Sequence, residues 1–94
     1  MDAMELVTAT LQAVEGAPLA DERVRRMVVA SAEALAERTG VRLVRVSATE
    51  RMVQAVLEAE EVVAVGFAAE LRRVTNEWWA AKSGGEVLWV EGEA

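Results

Sequence analysis

Cysteine and histidine are absent from this sequence, and so is tyrosine. Without cysteine there is no disulfide framework and no thiolate zinc site. Without histidine the commonest metal ligand and the commonest general base are missing. A nucleophile would have to be Ser31, Ser47, Ser83, a threonine or a carboxylate, and no flanking base is suggested for any of them. There is no Gly-x-Ser-x-Gly elbow, phosphate loop or dinucleotide fingerprint. Gly84-Gly85 is a helix stop before an apolar run, not a phosphate cradle before a helix. These absences give the expectation of a non-catalytic chain with no cofactor and no metal. Long apolar runs are missing too: none approaches the ~20 residues of a membrane span. The start, Met1-Asp2-Ala3-Met4-Glu5, is acidic where a secretory signal is basic. Cytoplasmic residence is the default expectation.

What is present is 94 residues, 53% of them apolar, with a net charge of −6. That length reads as one domain, 1–94. A chain of this size buries roughly 60–65% of its unfolded surface and is only marginally stable alone. With disulfides and thiolate or imidazole metal sites excluded, oligomerisation is the remaining stabilising device. The acidic balance disfavours direct nucleic-acid binding and an anionic membrane surface. The cations are nine arginines and one lysine, Lys82, a bias that GC-rich coding accounts for.

The fold expectation is α+β: an N-terminal helical hairpin, a small sheet of two or three strands, one long C-terminal amphipathic helix and a short terminal strand. Residues 2–15 read as a helix, with Asp2 as cap, Met4, Val7, Leu11 and Val14 at helical spacing, and Gly16 as the stop. Residues 21–39 read as a second helix, capped by Asp21, striped by Val24, Val28, Ser31 and Leu35, and ended by Gly40. Residues 41–46 have strand composition. The next stretch is ambiguous. Ser47-Ala48-Thr49-Glu50 fits a capping box that opens a helix, and it also fits a hairpin turn with Arg51 to Ala59 returning as a strand. The hairpin is preferred because it needs fewer long-range crossovers. Residues 60–82 carry a sustained helical stripe of Val63, Phe67, Leu71, Val74 and Trp78, although 61–65 could instead be a short strand. Val87 to Val90 could add an edge strand, and Glu91 to Ala94 should fray.

Two charged groups have plain readings. Glu58, Glu60 and Glu61 lie where a helix start favours carboxylates. Arg23, Arg25 and Arg26 read as solvated side chains, one of them paired with Glu22. The aromatic residues are more informative. Three of the four are tryptophans in the last seventeen positions: Trp78, Trp79 and Trp89. Neighbours on a helix point about 100° apart, so Trp78 continues the core stripe while Trp79 faces elsewhere. Arg72 precedes Trp79 by one heptad and lies about 20° from it around the helix. Arg–Trp groups of this kind are where binding hot spots concentrate. Arg72, Arg73, Asn76, Trp79 and Trp89 are therefore the candidate interaction surface. The leading expectation is a protein–protein interaction module or accessory subunit, acting as a homo-oligomer, a dimer foremost, or through another protein. The alternative is a small-ligand module with a Trp- and Arg-lined apolar pocket.

Overall fold

The computed structural model describes residues 5–15, 18–85 and 88–90. Strand β1 (Leu6–Gln12) is followed by a short 3₁₀ turn (Pro18–Ala20), helix α1 (Glu22–Thr39), strands β2 (Arg42–Ala48) and β3 (Met52–Glu58), and helix α2 (Glu61–Ser83). The fold is α+β, with two helices and a three-stranded antiparallel sheet in the order β1-β3-β2. Among the described residues, no helix is long and apolar enough to cross a membrane.

Helix α1 forms where the caps put it. The Asp21 side chain accepts the Arg23 N–H at 2.9 Å, and Gly40 takes the left-handed conformation, φ 76°, that closes the last turn. Val24, Val28, Ala32, Leu35 and Ala36 make its buried face. Arg26 donates to Glu22 within the helix, while Arg25 Nη1 donates to the carbonyls of Leu19 and Ala20 and so fastens the preceding turn. In α2 the buried line is Ala64, Phe67, Leu71 and Thr75. It is rotated from the expected stripe: Val63 lies exposed, while Val74 and Trp78 are half-buried. Residues 61–65 are helical. Gly84, φ 88°, ends the helix.

The hairpin reading of residues 47–59 is the one the chain adopts. Thr49 organises the turn: its Oγ1 accepts the N–H groups of Arg51 and Met52, and its own N–H donates to the Met52 carbonyl. The capping-box helix does not form. β3 then lies in the middle of the sheet, with Val53, Ala55 and Leu57 buried under the helices.

The N-terminal helical hairpin is the main correction. Leu6–Gln12 is a strand, antiparallel to β3 with Leu6 opposite Glu58 and Gln12 opposite Met52. Val7 and Leu11 satisfy both a helical and an alternating period; Ala9 between them, and Thr8 and Thr10 on the other face, complete the alternation. β-branched side chains also favour the extended backbone. Asp2, Met4 and Gly16, invoked for the helix, lie outside the described residues. The expected terminal strand is reduced to one bridge, Trp89 opposite Ala13. It is flanked by hydrogen bonds from Val14 N–H to the Leu88 carbonyl and from Val90 N–H to the Gln12 carbonyl. Val87 and residues 91–94 lie outside the described residues.

β1 and β2 thus run parallel with β3 between them, joined by α1: the split β-α-β arrangement. Both helices cover one face, α1 over β2 and α2 over β1. Leu6, Thr8, Thr10, Gln54, Arg42, Arg45 and Ser47 occupy the other face.

Two outcomes follow for stability. Leu57 is fully buried beneath both helices, so Leu57→Ala lowers unfolding free energy by about 2–5 kcal/mol, measurable by urea titration. Asp21 holds its carboxyl below its ordinary value of 3.8, chiefly through the Arg23 backbone hydrogen bond. A depressed folded pKa means the cap stabilises fully above the ordinary value and loses its effect as pH falls through the folded one. Thermal melts of Asp21→Ala should therefore lie below wild type at pH 7 and converge with it under strong acid.

Candidate functional site

The five sequence candidates do not form one surface. Trp89 is in the core at 3% exposure, and its indole N–H donates to Thr75 Oγ1 at 2.8 Å. Thr75 is the buried polar residue of α2, and its hydroxyl in turn donates to the Leu71 carbonyl. Asn76 Oδ1 accepts the Leu88 N–H at 2.8 Å. Asn76 and Trp89 together clasp residues 88–90 onto α2. Arg73 lies exposed between Glu70 and Glu77, which accept its guanidinium hydrogen bonds. Its pKa is raised, first by the hydrogen bond to Glu70, and Glu70 is lowered by the same contact. Trp79 is half-buried against the core, with its ring centroid 6.1 Å from that of Trp78. The cation over an indole is Lys82, 5.8 Å from the Trp78 centroid. The sequence had paired Arg72 with Trp79.

Arg72 is the exception. It lines an open groove of about 590 Å³ between α2 and the outer edge of β1. Val7, Thr8, Ala9 and Thr10 form the strand side; Glu61, Ala64, Val65, Ala68, Ala69 and Arg72 form the helix side. No tryptophan lines it. Arg72 Nε is buried with no hydrogen-bond partner, and Arg72 makes no ion pair among the described residues. An unsatisfied buried donor of a charged group costs at least 1–3 kcal/mol by rough estimate.

Among the described residues the sheet stops at β1, which leaves the groove open. Backbone groups alternate sides along a strand. The Glu5 carbonyl accepts from Ala59, and the Ala13 N–H donates to Arg51, so odd-numbered residues face β3. Gln12 and Val14 face outward, where they meet Val90 and Leu88. Leu6, Thr8 and Thr10 therefore also turn their N–H and C=O groups outward, and none has a backbone partner there among the described residues. No charge, proline or glycine occurs from Leu6 to Val14. The β2 edge differs: it carries Arg42, Arg45 and a bulge at Val44, devices that discourage pairing. Leu6 and Val65, 63% and 65% exposed, flank the bare edge.

Comparison with protein-family models and with curated proteins returns no match.

The clasp has a measurable strength. Trp89→Phe removes the N–H and leaves the Thr75 hydroxyl oxygen with one partner fewer, at a cost of about 0.5–1.5 kcal/mol. A double-mutant cycle with Thr75→Ala should return a coupling of similar size. Additive losses would show that the hydrogen bond contributes nothing.

Proposed function

We propose that the chain is a non-catalytic interaction module that docks a partner by adding a strand to β1. The observation that carries this reading is the bare outer edge of β1 beneath α2, set against the guarded edge of β2. Main-chain hydrogen bonds from Leu6, Thr8 and Thr10 supply affinity in this mode, and pockets for alternate side chains supply specificity. Arg72 belongs to the docking surface. Arg73, Asn76, Trp79 and Trp89 hold the elements that frame it. Partners may be sought without knowing their names, because the mode itself fixes what the bound segment must be: extended, and free of proline where its N–H groups are needed.

The test is selection of linear peptides on the full chain, followed by amide hydrogen exchange. Peptides that bind should slow exchange at Leu6, Thr8 and Thr10. Thr8→Pro removes an outward N–H and should weaken binding at least tenfold, while Arg45→Ala on the far strand leaves it unchanged. Binders that leave those three amides untouched and ignore Thr8→Pro would show that the β1 edge is not the docking surface.

A further inference from the structure

Resting on that strand-addition reading, we infer that the β1–α2 groove takes a lone extended segment of another protein, with a carboxylate seated at Arg72. Three observations lead there. First, the occupant cannot be the same edge of a second copy. Antiparallel pairing of two β1 edges about a two-fold axis keeps both α2 helices on one side of the sheet. α2 lies over β1, and paired strands are about 4.8 Å apart. The two helices would then approach within about one strand spacing, well inside the roughly 8–10 Å that packed helices need. A segment that brings no helix of its own fits beneath α2.

Second, the groove wants small apolar side chains. Its helix wall is Ala64, Val65, Ala68 and Ala69, which leaves room for alternate side chains of modest size without long pockets. The bare stretch from Leu6 to Thr10 is five residues, about 16 Å of strand. The helix wall from Glu61 to Arg72 spans about the same length.

Third, the groove's charge is polarised. Glu61 stands at one end and Arg72 at the other, and neither forms an ion pair among the described residues. Of the two, Arg72 carries the buried unpartnered donor. A carboxylate gives that guanidinium a charge-assisted partner; a neutral amide leaves the charge uncompensated. In a chain of net charge −6, an unpaired arginine facing an open groove selects an acidic residue locally against the repulsion of the whole.

The probes are capped seven-residue peptides of alternating valine and threonine with a single glutamate stepped through each position, together with their glutamine counterparts. They are titrated against the full-length chain, with binding read from amide exchange at Thr8 and Thr10. In the free chain these two amides should exchange quickly. One glutamate position should bind at least tenfold tighter than its glutamine counterpart. Arg72→Gln should erase that difference while keeping residual binding. Val65→Glu, at an exposed position, should weaken every peptide without unfolding the chain and serves as the control should Thr8→Pro misfold. If glutamate and glutamine peptides bind equally and both still protect Thr8, the carboxylate inference falls while strand addition stands. If no peptide protects Thr8 and Thr10, both fall. Protection of those amides in the free chain would show that the groove is already occupied, which overturns the partner.

Discussion

The structure depends on β3 lying between β1 and β2. β3 is the one strand paired along both edges, and its inward side chains, Val53, Ala55 and Leu57, have almost no exposure. Because β3 pairs between them, β1 and β2 stand two strand spacings apart, and α1 connects them across that distance. Two strand spacings, about 9.6 Å, match the separation of two packed helices. That coincidence lets α1 sit over β2 and α2 over β1 with Phe67, Leu71, Val28 and Leu35 filling the layer between. A wider sheet would leave a gap between the helices; a narrower one would force them apart.

The same arithmetic bears on residues 88–90. The split arrangement extended by one strand, β-α-β-β-α-β, places the last strand beyond β1. Among the described residues that position is filled beside Gln12 to Val14. Leu88 and Trp89 contribute two buried side chains there, and a polar anchor, Trp89 to Thr75 to the Leu71 carbonyl, fixes them on α2. An indole N–H inside a core needs an acceptor, and a threonine bonded back onto its own helix is a well-placed one because its hydroxyl oxygen still has capacity. The Asn76 contact to the Leu88 N–H satisfies the next backbone group. Trp89 therefore works as a structural plug.

The sequence was legible wherever one period dominated. Helix α1 could be read from Asp21, its stripe and Gly40, since caps and periodicity agreed. Helix α2 was legible in extent and less so in phase. Valines at 62, 63 and 65 look like core by composition, yet alanine at 64 takes the buried position because β1 approaches that close. β1 was misread because Val7, Leu11 and Val14 match a helix, and the residues that break the tie, Ala9 and two threonines, carry weak hydrophobic signal. Its pairing partner lies forty or more residues away, and no local pattern encodes that. The candidate surface failed to assemble for a related reason. Trp89's partner Thr75 sits on another element, and sequence spacing cannot show that an indole is facing inward. Arg72 was singled out for its proximity to Trp79; what distinguishes it is the absence of a strand beside it, a property of topology.

A bare, uncharged strand edge is ordinarily a hazard, because it invites pairing between copies. Here α2 changes the outcome. Its alanine-rich wall stands over the edge of β1, and on the proposal made above that roof admits a single extended backbone more readily than another sheet with its own covering helix. On the same proposal, the helix thereby discriminates by shape against β1-to-β1 pairing with another copy of the chain. At β2 the protection is different in kind, a bulge and two arginines, and the groove between β2 and α1 is smaller, about 380 Å³. One edge is closed by disrupting its hydrogen-bond ladder, and the other is left intact but roofed. On the strand-addition proposal an incoming chain pairs with these backbone groups, which would be costly to bury unpaired. Arg72 lines the same groove, so on that proposal selection for charge and selection for shape act at the same five residues of strand.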